Sequence, residues 1–191
     1  MLRASRISAV RAAASFAGGA LIALVGARLL PPIVAQARGK ARMRTGGDPF
    51  ETLIDDHRAI MSHLDAMVES SDSEAFSRVQ HLLRLKRRLG AHAMAEEDIV
   101  YPALREQAAL EGDAAQLYQE HAEIKVLLYK LEQAPKSSEQ WHEHATALRT
   151  LIEGHIHQEE DVDFPKLRAA LDNAALSELA SKIEREKALL L

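Results

Sequence analysis

Two segments of this chain carry histidine and glutamate at a spacing that can hold a cation. His92-Ala-Met-Ala-Glu96-Glu97-Asp98-Ile-Val-Tyr101-Pro102 and His155-Ile-His157-Gln-Glu159-Glu160-Asp161-Val-Asp163-Phe164-Pro165 align at an offset of 63 residues, matching at His, Glu, Glu, Asp and Pro, with an aromatic residue before the Pro each time. On a helix, H-x-x-x-E stacks an imidazole and a carboxylate one turn apart on one face. The repetition reaches upstream. His57, in Asp55-Asp56-His57, stands 35 residues before His92, and His121, in Gln119-Glu120-His121, stands 34 before His155. A lone His followed by H-x-x-x-E is therefore written twice. His57, His92, Glu96, His121, His155 and Glu159 together make a donor set suited to two metal ions held between four helices.

The chemistry of that set is specific in type. Imidazole and carboxylate without thiolate suit iron or manganese and tolerate zinc. If Glu96 and Glu159 both bridge, each ion receives two His and two carboxylate oxygens, and one or two positions stay open for water, dioxygen or nitric oxide. The other histidines fit less well. His63 lies at the flank of its helical stripe. His81 and His144 sit 11 residues before His92 and His155, which is ~16 Å along a helix and out of reach. His142 and His157 should face solvent. Glu97 and Glu160 are turned about 100° from their neighbours, toward the surface or the backs of the ligands, with Glu160 able to replace Glu159. Tyr101 and Phe164 should close the bundle end.

Composition sets the frame around these residues. Among 191 residues, 47% are hydrophobic and only 4% aromatic, which favours a helical bundle over a sheet. There is no cysteine, so disulfides, zinc thiolate sites, iron–sulfur ligation and thiol catalysis by this chain are excluded. The net charge of −4 is split. Residues 1–47 hold eight Lys or Arg and no acid, while residues 48–191 hold 16 basic and 28 acidic residues. An acidic body disfavours nucleic acid as a partner.

Residues 1–47 read as a basic and apolar segment ending in a Thr45-Gly46-Gly47 linker. Its uncharged run, Ala12 to Ala27, has 16 residues, against the about 20 that span a bilayer. A membrane anchor is the leading expectation. The larger positive charge after the run then puts the C-terminal domain on the cytoplasmic side. A cleaved export signal, with Ala35-Gln36-Ala37 as its small-x-small site, and an organelle transit peptide are the alternatives. A further possibility is an apolar helix packed on the domain.

Residues 48–191 are expected to form the domain. Asp48 should cap a first helix with Pro49 in its first turn, carrying Leu53, His57, Ile60 and Leu64 inward. A second helix, from about Glu74 to Ile99, carries Leu82, Leu85, Leu89, His92 and Glu96, with Pro102 ending or kinking it. Gly112-Asp113 should separate it from a third helix bearing Leu117, His121, Ile124 and Leu131. Ser137 or Ser138 should cap a fourth, carrying Trp141, Leu148, Ile152, His155 and Glu159 and ended by Pro165. Asp172-Asn173 should cap a last helix. Short connections make neighbours antiparallel, so the fold class is all-α: an up-down four-helix bundle with a C-terminal helix and an N-terminal apolar extension. All six candidate ligands then meet at one level of the core.

From about Asp48 to Arg168 the chain resembles the hemerythrin-like, or HHE cation-binding, family, on the strength of the paired H-x-x-x-E-E-D…P motifs. The resemblance implies an antiparallel four-helix bundle around a non-haem di-iron centre, with His57, His92, Glu96, His121, His155 and Glu159 as ligands and both Glu bridging. It implies a protein that binds or senses dioxygen, nitric oxide or iron, with a redox partner unknown. The alternative is a di-iron enzyme that reduces nitric oxide or decomposes peroxide. Oxygen carriers of the family have a fifth His four residues after the third-helix ligand, where this chain has Lys125. The four-His, two-Glu pattern looks more like the bacterial proteins that repair iron centres after nitrosative stress.

Overall fold

A computed structural model describes residues 31–190. The apolar run of residues 12–27, read as anchor, signal or transit segment, lies outside the described residues, while the small-x-small site Ala35-Gln36-Ala37 lies in a helix. Helix α1 covers 31–44 and is followed by a turn through Thr45 and Gly46. Next come α2 (Glu51–Val68), a single 3₁₀ turn (Asp72–Glu74), α3 (Ala75–Ala95), a π-turn (Glu96–Val100), α4 (Tyr101–Gln107), α5 (Glu111–Gln133), α6 (Glu139–Gln158), a second π-turn (Glu159–Asp163), α7 (Phe164–Ala170) and α8 (Asn173–Leu190). Helix α2 packs on α3 and α6, and α5 packs on α6 and on α3 with its continuation α4. These contacts close a ring of four, the up-down bundle that the short connections predict. No helix among the described residues is long and apolar enough to cross a membrane.

The bundle interior separates into two apolar layers. One, built on Leu64, Met67, Leu85, Leu131, Trp141 and Leu148, fills the end nearest the 3₁₀ turn. The other, built on Phe50, Leu53, Tyr101, Leu104, Leu117, Phe164 and Leu167, fills the opposite end. The histidines and glutamates of the repeat lie between them.

Local chemistry explains most boundaries. The Asp48 carboxylate accepts from Phe50 N at 2.8 Å, Ser138 Oγ accepts from Trp141 N at 3.2 Å, and Asp172 accepts from Ala175 N at 2.8 Å. Each satisfies an amide that its helix leaves without an internal partner. The break between α4 and α5 is not at Gly112-Asp113, which sit inside the first turn of α5. It comes earlier, at Ala109, whose φ of 54° reverses the chain while Leu110 N returns to Leu104 O at 3.1 Å. An alanine thus takes the left-handed position that glycine usually fills after a helix.

Neither proline ends its helix. Pro102 and Pro165 lie in the first turns of α4 and α7, which continue α3 and α6. The π-turns make this possible. Tyr101 N bonds to Glu96 O and Phe164 N to Glu159 O, each five residues back. At that spacing Pro102 has no N–H for the Glu97 carbonyl, and the Tyr118 hydroxyl donates to it instead at 2.6 Å. A widened turn and an outside donor thus remove the cost that a proline normally brings to a helix interior.

Helices α1 and α8 wrap the bundle. Helix α8 lies on α3 and on the first π-turn, and its Lys187 donates to Thr52 O at 2.8 Å. Helix α1 crosses α8 so closely at Gly39 that a Cβ there would come within 2.6 Å of Ala180 O. Arg42 pairs with Glu184 at 2.8 Å and Lys40 with Glu178 at 3.4 Å. Residues 31–44 therefore pack on the domain, although they read in sequence as the tail of the extension.

A buried arginine that the periodicity does not flag ties the far end together. Arg78 is 1% exposed. It donates to Ser70 Oγ and Ser70 O, both at 2.7 Å, and to Lys136 O at 2.6 Å, and it lies 4.5 Å over the Trp141 ring. One guanidinium thus clamps the α2–α3 and α5–α6 connections. Arg78→Ala should destabilise the fold by about 3 kcal/mol, because those acceptors lose their partner. Urea unfolding followed by Trp141 fluorescence measures it.

Candidate metal centre

All six sequence-predicted residues come together at one level of the core. His57 and His121 arrive from α2 and α5. His92 is in the last turn of α3 and His155 in that of α6, and Glu96 and Glu159 begin the two π-turns. Every one is buried, and both glutamates are fully so. The Nε2 atoms point inward. Those of His57 and His92 are 3.1 Å apart, as are those of His121 and His155. The glutamates lie between the pairs: Glu159 is 3.2 Å from His57 Nε2 and 3.5 Å from His155 Nε2. Glu96 is 3.0 Å from His92 Nε2 and 3.5 Å from His121 Nε2. Two four-residue groups result, His57, His92, Glu96 and Glu159, and His121, His155, Glu96 and Glu159, with donor atoms mutually within 4.8 Å. Both carboxylates belong to both groups.

Behind the rings stand four acids. Glu160 meets His57 Nδ1 at 2.6 Å, Glu97 meets His121 Nδ1 at 2.8 Å, and Glu120 meets His155 Nδ1 at 2.8 Å. Asp56 is 3.7 Å from His92 Nδ1. The arrangement repeats the sequence duplication in crossed form. The acid preceding His57 backs His92, and the acid following Glu159 backs His57. The acid preceding His121 backs His155, and the acid following Glu96 backs His121. An acid at hydrogen-bond distance from Nδ1, as at His57, His121 and His155, holds the proton there and turns the Nε2 lone pair inward, whereas His92 Nδ1 has no hydrogen-bond partner.

That wiring creates a deficit of positive charge. With Nδ1–H of His121 and His155 pointed outward, their neutral rings turn two Nε2 lone pairs toward each other at 3.1 Å. Both oxygens of Glu96 and Oε2 of Glu159 lack any hydrogen bond. Burial opposes a charged His57, yet Glu159, Glu160 and Glu96 lift its pKa to about 11. His92 and His155 are raised by the same carboxylates against the same burial. His121 goes the other way, lowered by burial with His155 beside it. Burial works against an ionised Glu96, but His92, His57 and His121 hold it well below the ordinary carboxylate range. The cage therefore attracts cations, whether protons on its rings or a bound metal. Divalent ions fit this donor set.

Tyr101 does more than close the bundle end. Its hydroxyl is 2.8 Å from both His121 Nε2 and Glu159 Oε1. Burial first, then the Glu159 and Glu96 charges, push its pKa well above the ordinary value, so it enters the cage as a neutral donor. Phe164, its counterpart in the repeat, instead stacks on Phe50 at 4.4 Å. Lys125 is 2.7 Å from Glu97 Oε1, and so steadies the acid behind His121. His142 and His157 are exposed. Half-buried His63 pairs with His81, Nδ1 to Nδ1 at 3.3 Å.

Sequence reasoning missed the supporting roles of Asp56 and Glu120. The available signal was the acid immediately before each lone His. It also missed Asp163, whose counterpart in the first repeat is Val100. Asp163 is fully buried. Burial, with Asp113 opposite, raises its pKa from 3.8 to about 6. The raised value means that the folded state holds a proton the unfolded state has already released. Stability from this group is present below pH 4 and lost as pH rises to about 6. Urea unfolding of Asp163→Asn should therefore show a gain over the parent at pH 7.5 and none at pH 4.

The acids behind the rings can be tested in the same way. Glu160→Gln should leave metal binding in place but weaken it about tenfold or more, seen as metal loss at lower chelator concentration.

Comparison with known proteins agrees with this geometry. The chain is 26% identical over 132 residues to a DNA nickase of Nostoc sp. (strain PCC 7120 / SAG 25.82 / UTEX 2576), covering 69% of this chain but only 37% of that protein. It is 27% identical over 139 residues to an uncharacterised hemerythrin-like protein of Schizosaccharomyces pombe (strain 972 / ATCC 24843), covering 72% of this chain and 68% of that one. No solved structure matches the chain significantly. The Hemerythrin HHE cation binding domain family matches residues 48–167, the stretch that holds every residue of the cage and all four acids behind it, and the chain belongs to that family.

Proposed function

We propose that this protein holds two iron ions in the cage and binds or senses dioxygen or nitric oxide there. His57 and His92 would hold one ion, His121 and His155 the other, and Glu96 and Glu159 would bridge them. The observation that carries the reading is the sharing of both glutamates by both histidine pairs. Iron supplies a change of oxidation state and an open position for a small ligand. The protein supplies the rest. Glu160, Glu97 and Glu120 fix the orientations of His57, His121 and His155, the apolar layers above and below exclude water, and Tyr101 offers a proton at Glu159 Oε1.

That same hydroxyl supports a second reading, an enzyme that reduces nitric oxide or decomposes peroxide, because both reactions consume protons. Metal analysis and rapid mixing separate the cases. Two iron ions per chain with a stoichiometric, reversible spectral change support binding. Continuous consumption of peroxide or nitric oxide, slowed in Tyr101→Phe, supports the enzyme. A purified chain that takes up neither iron nor manganese overturns both.

The arginine-flanked apolar run of residues 12–27 supports a membrane location for this centre, with the domain on the cytoplasmic side. Deleting residues 1–30 should then move the protein from the membrane fraction to the soluble one.

A further inference from the structure

The duplication contains its own comparison at the two seams that join one repeat to the other. At the offset of 63 residues, Gly90 and Ala93 of α3 correspond to Glu153 and Ile156 of α6. In the α6–α2 seam the helices lie close along their length, and Ile156 and Met61 pack against the apolar layer. In the α3–α5 seam, where α3 carries the small residues, the helices touch only lightly. A Cβ added at Gly90 would meet nothing within 4 Å.

The looser seam leaves a recess of about 110 Å³. Leu89 and Ile124 are buried in its floor, Gly90 and Lys125 are exposed at its mouth, and His121 forms part of its wall. The polar groups around it already have partners. Lys86 donates to both oxygens of Glu132 at 2.8 Å, and Lys125 to Glu97 at 2.7 Å. His121 Nδ1 is held by Glu97 at 2.8 Å, and its Nε2 belongs to the cage. A water molecule in the recess finds few of the about three polar partners it needs. Apolar cavities of about 150 Å³ stay dry and take up xenon, and this recess is of that order. Dioxygen and nitric oxide suit such walls, whereas hydrogen peroxide would leave its hydroxyls unpartnered.

We propose that the α3–α5 seam is the entry and holding site for a diatomic gas, which reaches the cage beside His121 and not through the closed α6–α2 seam. The identity of the gas rests on the function proposed above, but the recess does not need the cage to hold iron.

Xenon under pressure probes the recess in the metal-free full chain, read by NMR of the leucine and isoleucine methyl groups. Saturable shifts are expected at Leu89, Ile124 and Leu128. Ala93→Ile, which installs the residue of the other repeat, should abolish them with circular dichroism unchanged. Gly90→Leu fills the same space and replaces it if Ala93→Ile disturbs the fold. Ala147→Ile, on an exposed face of α6, should leave the shifts as in the parent. In the iron-loaded chain, Ala93→Ile should slow nitric oxide association at least about tenfold with iron content unchanged. Shifts absent from these methyl groups, or equal in the parent and the filled variant, overturn the recess as a holding site. Unchanged association in a variant that has lost xenon overturns it as the entry. An iron-loaded parent that responds to neither gas refutes the proposed function instead, and the xenon result then decides the recess by itself.

Discussion

Glu96→Ala should empty both halves of the cage. Glu96 is shared by the two histidine pairs, and neither of its oxygens has a hydrogen bond to retain it for another purpose. Losing it removes one of four donors from each group and part of the charge that makes the ions tolerable there. On the proposed two-ion reading, metal content should fall from about two ions per chain to well below one, since stripped sites keep two imidazoles and one carboxylate against water. His92→Ala is the informative contrast. His92 serves only the His57 group, so about one ion should remain, in the His121 and His155 half. Elemental analysis after gel filtration reads both. Equal content in Glu96→Ala and the parent would show that the glutamate does not bridge. The fold should survive, because the apolar layers above and below make no use of the carboxylate.

Removing the metal from the parent chain should cost stability and take up protons. A ligand that binds only the folded state at a thousand times its Kd contributes about 4 kcal/mol, which is ~10 °C in melting temperature for a domain of this size. The proton side follows from the cage itself. His57, lifted to about 11 without metal, carries a proton at neutral pH that an ion must displace. Metal binding should therefore release at least about one proton per chain and weaken about tenfold per proton displaced for each unit of acidification. Calorimetry in two buffers of different ionisation enthalpy counts the protons, and thermal melts with and without chelator give the stability. Identical melts, with metal shown to be removed, would mean that the cage is satisfied by its own protons.

The prolines show how a correct motif can carry a wrong local expectation. In an α-helix Pro102 and Pro165 are breakers, and the sequence reading had the first end or kink its helix and the second end its own. Both helices continue because each H-x-x-x-E motif opens a five-residue π-turn, from Glu96 and from Glu159. No propensity encodes that turn. It pays only when the glutamate that opens it has a place in a shared cage, which is a tertiary condition. The donor that satisfies Glu97 O, Tyr118, comes from a different helix.

The sequence alone determined the helical class, the antiparallel order and the six residues at one level, because duplication and helical period are one-dimensional facts. It also turned Glu97 and Glu160 about 100° from their neighbours, while leaving Glu160 open as a replacement for Glu159. Only the tertiary structure decided which acid stands behind which histidine, because that pairing crosses from one helix to another and from one repeat to the other. The same holds for Tyr101 reaching Glu159, for Asp163 losing its water, and for the recess that opens between α3 and α5. Each depends on how far apart the helices pack and how they are rotated about their axes. Spacing along a single chain does not carry those two quantities.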